Sequence, residues 1–575
     1  MSSGSRTGPD RPKGLARVLP IAAWLPAYER SWLKGDLIGG LSVWAVTVPM
    51  SLGYATISGV PVQYGLYAAA AGLIAFALFS TSKQVTEGPS SMTAPVLGAG
   101  VAAVAATGSA EAVAFAGAVV LFAGLLYLLL YVLRMGWISD FLSASVITGF
   151  MFGVAINVSA GQLFKITGTE SSGSNTWQKL WAWLASLPDA NRATVIVGVV
   201  ALLIVFGLRF VAPRIPGGLV AVAVGMLATA ILGLGDRGVA LVAKVPTGLP
   251  SLVLPSPSFV ADHFATIAAT AVGVLLIGVS VSTAAVRQYA TKHDYRIVVN
   301  QEMLAQGMSN VASGLFQGIF VDGSLSRSPI NDQAGARSQL SNLFQAVLVI
   351  LTLLLLAPLF SYLPDAVLAA IIIEAVIIGM IDVLEMKRLL VVNRTEFVIA
   401  LAALLGVLTF GVLWGVFIGV GLSIVWLLKV SSRPSIAELG RKAGTDAFVD
   451  VTEDPAAQTR PDLAIVRFDG GLWFVNSGTL EDHLREIRVK SAGELKGVIL
   501  SMEGVDYIDA EGADSVRKIA QAGLDHGIAF HLARVKPSVL EVLKRDRVID
   551  VMGAGHIHDT IAAAVQTFSE EHSPS

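Results

Sequence analysis

From Leu37 to Lys429 one apolar run follows another, and most are close to the length a helix needs to cross a hydrocarbon core, about 20 residues. Lipid offers no partner to a backbone amide, so runs of this kind fold as membrane-spanning helices. Composition agrees, with 54% hydrophobic and 14% charged residues, against about 25% charged in soluble domains. The chain reads as an integral α-helical membrane protein. Fourteen runs can be counted, near 37–55, 64–80, 89–106, 112–133, 139–164, 193–211, 217–234, 265–286, 297–320, 326–340, 342–362, 364–382, 396–411 and 412–429.

An even number of spans puts both ends on one side. The tail carries Arg6, Arg11, Lys13, Arg17, Arg30 and Lys34 against Asp10 and Glu29, and Arg433, Arg441 and Lys442 follow the last run. Basic flanks mark the cytoplasmic side, so both termini are expected there, in the cell inner (plasma) membrane. The opening MSSGSRTGPDRPKGLARVLP has charges, Gly and Pro where a signal peptide needs an apolar stretch, and is expected to be retained. The chain has no cysteine, which excludes disulfides and thiolate metal sites.

The third and tenth runs differ from the rest. Both open with polar, Gly- and Pro-containing sequence, EGPSSMTAPVLGAG from Glu87 and DGSLSRSPINDQAGA from Asp322. Each is short for a straight span, and each is third in its own half if the fourteen divide as seven plus seven. Broken segments at matching places of two halves point to inverted repeats with a binding site at the midplane. The helical parts are expected to start after the polar residues, with Ser90 or Ser91 as one N-cap and Ser326 as the other. Two helix N-termini meeting there offer free N–H groups and partial positive charge, which is an anion site.

Arg327 belongs to the same stretch. An arginine at the centre of a span costs about 2.5 to 3.5 kcal/mol on insertion scales, so it must face a cavity or an acidic partner. The alternative to a ligand contact is a structural ion pair with Asp322, Asp332 or Glu302, and the two roles can coexist. Ser90, Ser91, Ser324 and Ser326 also have a plainer role open to them, bonding their own i−4 carbonyls or letting helices approach.

The run TVPMSLGYATISGVPVQYGLY from Thr47, the stretch YRIVVNQEMLAQGMSNVASGLFQGIFVDGSLSRSPINDQAGARSQL from Tyr295, and LPDAVLAAIIIEAVIIGMID from Leu363 resemble the sulfate permease (SulP) anion transporters. That family includes animal anion exchangers and the motor protein prestin. The resemblance implies fourteen transmembrane segments as two inverted seven-span repeats, divided into a core domain (spans 1–4 and 8–11) and a gate domain (spans 5–7 and 12–14). It implies an anion held between spans 3 and 10, and a core domain that moves like an elevator. Carried over by position, the site uses Gly88, Pro89, Ser90 and Ser91 with Ser324, Leu325, Ser326 and Arg327, and Met50 and Tyr54 of span 1 form its walls. Many relatives have a glutamine where this chain has Met50, which removes a hydrogen-bonding wall. Many also carry an acidic residue midway along span 8, whereas Ala271 to Val286, AVGVLLIGVSVSTAAV, has no carboxylate. Cation coupling through that position is therefore in question. Glu374, alone in LAAIIIEAVIIG, is a charged residue at membrane depth to which the residues assign no role.

Four regions are expected: a cytoplasmic tail (1–36), a transport domain (37–430), a polar linker (431–460) and a soluble α/β domain (461–575). In the last, LAIVRF and LWFVN flank a DGG turn as strands, TLEDHLREIRV reads as a helix, GVILSM as a buried strand, GADSVRKIAQAGLDHG as a helix, AFHLARV as a strand and PSVLEVLKRD as a helix with Pro537 in its first turn. The region resembles a STAS domain, the module that closes SulP chains. In VDYIDAEGADS the aspartate of the antagonist loop, Asp509, is followed by Ala510, Glu511 and Gly512, so the phosphorylatable hydroxyl of such loops is missing. By resemblance the domain serves dimerisation, folding and partner contact.

His556 and His558 form an H-x-H with no convergent ligand spacing, and a solvated surface pair is expected rather than a metal site. No GxxxxGK[ST] loop occurs, which leaves ATP-driven transport without support, and no basic stripe with aromatics points to nucleic acid. The function expected is secondary transport of a small anion (sulfate, bicarbonate, chloride or a dicarboxylate) by a homodimer in the lipid bilayer, coupled to Na+ or H+ or exchanged for a counter-anion, with no cofactor. The competing classes are an anion channel and a non-transporting sensor that signals through the STAS domain. An enzyme ranks last, because no nucleophile and base pair stands out.

Overall fold

The computed structural model describes residues 18–136, 143–212, 215–243, 245–246, 248–491 and 493–572. Arg6, Arg11, Lys13 and Arg17, and the start of the fifth run, lie outside them. The chain divides into two compact units, Met1–Ser423 and Ile424–Ser575.

In the first unit, and in the helix that leaves it, each of the fourteen runs overlaps a helix. Among the described residues eight helices are long and apolar enough to cross a membrane, and Gln63–Phe79 and Gly217–Leu232 are shorter apolar ones. Helix starts follow the local chemistry: Ser109, Ser143 and Asn191 accept backbone N–H bonds from Ala112, Val146 and Thr194 at the beginnings of Ala110–Val132, Ala144–Thr167 and Arg192–Val211. Among the described residues three further α-helices, Thr176–Ser186, Pro257–Asp262 and Val383–Val392, fall between the apolar runs.

Small residues let these helices touch. A Cβ on Gly65 would stand 2.0 Å from the Ser51 carbonyl oxygen, and one on Gly149 would stand 1.9 Å from that of Ala400, so only glycine allows either approach. Among the described residues two large apolar clusters and a smaller one around Phe76, Val85 and Tyr289 fill the unit. One of the large clusters gathers residues such as Tyr54, Val96, Phe115, Ala271 and Val321, and the other Val48, Leu66, Ala201, Val222 and Leu368.

At the centre two three-residue strands, β1 (Glu87–Pro89) and β2 (Val321–Gly323), pair antiparallel with Gly88 opposite Asp322. The sequence carried no sign of this pairing. Extended backbone at membrane depth needs protein partners, and it has them: Asn310 both donates to the Val321 carbonyl (2.9 Å) and accepts from its N–H (3.0 Å). The Ser328 hydroxyl accepts from Thr86 N–H and the Ser282 hydroxyl from Gly323 N–H.

The second unit holds a six-stranded sheet of β3 (Ser435–Arg441), β4 (Phe448–Asp450), β5 (Leu463–Asp469), β6 (Gly497–Ser501), β7 (Ala529–Ala533) and β8 (Ile557–His558), in the order β4-β3-β5-β6-β7-β8, with β5 to β8 parallel and β3 antiparallel to both β4 and β5. Three of its strands and three of its helices lie where expected: β5 (Leu463–Asp469), Ser477–Lys490, β6 (Gly497–Ser501), Ala510–Asp525, β7 (Ala529–Ala533) and Pro537–Arg545. The structure corrects three details. The stretch expected as a linker contributes β3 (Ser435–Arg441) and β4 (Phe448–Asp450). LWFVN is a turn rather than a strand: the Asn476 side chain accepts from Trp473 N–H and donates to the Gly471 carbonyl, while Asp509 accepts from Phe474 N–H. Only Leu472 bridges, to Ile508. Finally, His556 and His558, the latter on β8 (Ile557–His558), are half-buried against His531 on β7, whose side chain is fully buried. Burial, with the neighbouring imidazoles, pushes His531 down to about 4, so its ring is neutral at neutral pH.

Candidate functional site

The broken segments follow one pattern. Each strand is followed by one serine, Ser90 or Ser324, then a three-residue turn, then a helix with proline at its second position, Ala94–Ala102 with Pro95 and Ser328–Gln333 with Pro329. The helices therefore start later than Ser90, Ser91 or Ser326 would place them, with Thr93 and Arg327 at the N-cap positions. Ser90 and Ser324 instead brace the turns, accepting from Met92 N–H and Arg327 N–H at 3.2 Å each. Proline suits the first helical turn, where its missing N–H is not needed, and this fixes the late start.

The turns face a cavity of about 530 Å³. Pro89, Ser90, Ser91, Ser324, Leu325, Ser326, Arg327, Met50 and Tyr54 all line it. Gly88 stands behind it: its φ is +148°, and a Cβ there would lie 2.7 Å from Arg327 Nη1, so glycine leaves the room that the guanidinium fills. Arg327 is 1% exposed, and neither Nη1 nor Nη2 has a hydrogen-bond partner. The acids considered as its partners bond to other groups, Asp322 through one oxygen only. Asp332 meets Lys292 (2.5 Å) and His293 (2.6 Å), Glu302 accepts from the Ser80 hydroxyl and Thr81 N–H (2.7 Å each), and Asp322 accepts from the Thr93 hydroxyl (3.4 Å). Among the described residues Arg327 forms no ion pair with any of them.

Buried and unpartnered, a guanidinium carries a heavy desolvation penalty, and an oxyanion can satisfy several of its donors at once. The Ser324 and Ser326 hydroxyls, 3.2 Å apart, add polar groups on the same wall. The arrangement can therefore hold an anion with a buried positive charge and hydroxyls.

Four charged residues outside the expected site set stand here: Asp322 and Glu374, which the sequence singled out without placing them at the site, and Arg209 and Glu87, which it missed. Asp322 and Glu374 line the cavity with Arg209, which is bonded to Glu374 at 3.0 Å and ties Arg192–Val211 to Asp365–Met380. Glu87 is buried on β1, accepting from Gln306 at 2.9 Å. Glu87 Oε1 and Asp322 Oδ1 have no partner. Arg209 closes an apolar run like an ordinary flanking charge, so nothing in the sequence tied it to Glu374. Glu87 and Asp322 stand within the polar openings themselves, and only the strand pairing sets them side by side.

The sulfate permease family model matches residues 33–403, and a STAS domain model matches 454–564. A probable sulfate transporter of Mycobacterium tuberculosis is 32% identical over 96% of this chain and 99% of its own length. High affinity sulfate transporter 2 of Stylosanthes hamata is 28% identical over 96% of this chain and 87% of its own. Among solved structures, murine Solute Carrier 26 family member A9, an anion transporter in the inward-facing state, superposes with a TM-score of 0.89 at 22% identity, covering 99% of this chain and 96% of that one. The transmembrane domain of a cyanobacterium bicarbonate transporter, BicA, gives 0.60 at 24% identity over 69% of this chain and 98% of that one. By its sequence along nearly the whole length, and by a fold that the solved structures share, this chain belongs to the sulfate permease family.

Proposed function

We propose that the protein carries a small anion, sulfate first among the candidates, across the membrane by alternating access, binding it in the cavity between the two strand-turn-helix segments. One observation carries this reading: a buried guanidinium with two unpartnered nitrogens facing a cavity walled by serine hydroxyls. Sulfate transporters among the relatives favour sulfate. Bicarbonate, chloride and dicarboxylates are the alternatives. Met50 presents a thioether to the cavity, so recognition rests on Arg327 and the serines.

The repeated pattern of the broken segments supports two inverted seven-span halves, with the third segment of each at the site. On this reading fourteen spans divide into core and gate domains, the core moves as an elevator, both termini are cytoplasmic in the plasma membrane, and the unit is a homodimer. Coupling falls to Glu87 and Asp322. Glu374 is neutralised by Arg209, and Ala271 to Val286 has no acid, whereas Glu87 and Asp322 are buried near Arg327 and each has a free carboxylate oxygen. A proton on either cancels a negative charge beside the anion and favours its entry.

The test is uptake of labelled sulfate, bicarbonate and fumarate by reconstituted liposomes, with and without an imposed proton or sodium gradient. Saturable sulfate accumulation raised by inward protons is expected, with Asp322→Asn abolishing the proton dependence. Accumulation indifferent to both gradients and driven only by an internal anion would establish exchange instead. Currents at rates beyond about 10⁵ per second, faster than conformational cycling on microsecond to millisecond timescales, would establish a channel.

A further inference from the structure

Three histidines of the STAS domain, His531, His556 and His558, converge at one side of its sheet. His531 lies on β7, His556 ends the short turn Ala554–His556, and Glu571 ends the helix Ile561–Glu571. His531 Nε2 is 3.7 Å from Glu571 Oε2, and His556 Nε2 is 3.5 Å from Glu571 Oε1. One ligand atom from each of the three residues lies within 4.8 Å of the others. His531 Nε2 is buried and has no hydrogen-bond partner, although its side chain is fully enclosed. In a tetrahedral site with bonds of about 2.1 Å, ligand atoms stand about 3.4 Å apart, close to the two separations seen here.

The proton positions point the same way. His556 Nδ1 meets the Met552 carbonyl, which can only accept, so Nδ1 carries a proton and, in the neutral ring, Nε2 on the side of Glu571 is the nitrogen with the lone pair. His531 Nδ1 meets His558 Nε2 at 3.2 Å. With the His531 proton donated there, its Nε2 also offers a lone pair. Outer contacts of this kind orient imidazoles that bind metals. The nearby Arg460 is committed to Asp462 and Ser569 and supplies no charge to the gap. Two nitrogen lone pairs and a carboxylate are thus left facing one another.

We infer that His531, His556 and Glu571 bind a transition-metal dication of the Zn2+ class, with a fourth position open to water. Two imidazoles and one carboxylate suit such an ion and do not suit Mg2+ or Ca2+, which prefer oxygen. Bound there, the ion fastens the C-terminal helix Ile561–Glu571 to β7 and to the turn before β8.

The experiment uses the full-length protein in detergent, without a histidine tag and stripped with chelator, titrated with ZnCl2 by calorimetry and analysed for bound metal after desalting. Glu571→Gln and His556→Ala are the informative variants, because both side chains are partly exposed and the fold should survive their loss. One Zn2+ per chain is expected. Each variant should weaken binding by at least the roughly 10- to 100-fold that loss of an outer partner costs, and Mg2+ and Ca2+ should not compete. Co2+ should give the visible absorption of a four-coordinate ion in wild type and lose it in both variants, and Zn2+ should slow amide exchange in Ile561–Glu571. A stripped wild type that takes up no stoichiometric Zn2+, or variants that bind Zn2+ as wild type does, would overturn the assignment.

Discussion

Arg327 is buried and, among the described residues, forms no ion pair, so its donors are left for whatever enters the cavity. Hydrogen bonds to charged groups are worth about 1.5 to 3 kcal/mol, which is roughly 10- to 100-fold in affinity. Arg327→Ala is expected to weaken sulfate binding by that factor, and Arg327→Lys, which keeps the charge but loses the planar fork, by less. Gly88 makes the second claim at this scale. Gly88→Ala adds a methyl 2.7 Å from the guanidinium at a φ of +148°, and should cut uptake at least about tenfold while the protein still reaches the membrane, as read by surface labelling beside transport. The residues that line the cavity were legible because serine, proline, glycine and arginine break apolar runs where lipid tolerates none of them unpartnered. Arg209 was not, since a charge at the end of a run is what any span shows.

The strand-turn-helix segments depend on side chains from neighbouring helices. Asn310, on Val299–Leu315, satisfies both backbone groups of Val321. Asn310→Ala leaves both buried and unpaired, at about 1 to 3 kcal/mol each, and should lower the melting temperature of the detergent-solubilised protein and reduce uptake. Asn310→Asp, which can still accept from the N–H, should fall between. The pair Arg209–Glu374 spans two helices across the cavity. Glu374→Gln frees the arginine, and a severalfold drop in the sulfate KM is expected. An unchanged KM with lower thermal stability would make the pair purely structural. At this scale legibility was uneven. The long helices follow from apolar length, but β1 and β2 are three residues each, too short for any alternation to register. Pro434, Gly440 and the charges of Glu438, Arg441 and Lys442 gave β3 the look of a linker, although Ala437 and Leu439 point into the domain. His531, His556 and Glu571 come from three separate elements, so no local spacing could join them.

Across the whole molecule, two sequence halves with the same broken segment bring a positive charge and hydroxyls to one central cavity, and a separate α/β unit closes the chain. Membership of the sulfate permease family accounts for both parts. On the proposed coupling, in which the buried acids Glu87 and Asp322 take the place of the carboxylate that Ala271 to Val286 lacks, Asp322→Asn should abolish and Glu87→Gln should reduce the response to a proton gradient, without removing sulfate exchange. All of this rests on anion binding at Arg327. The most direct test is labelled-sulfate uptake by liposomes that contain equal amounts of wild type or Arg327→Ala, each checked for folding by its elution from a sizing column. Saturable uptake by wild type that falls at least about tenfold in the folded variant is the result expected. Equal uptake and equal KM in the two proteins would contradict the site.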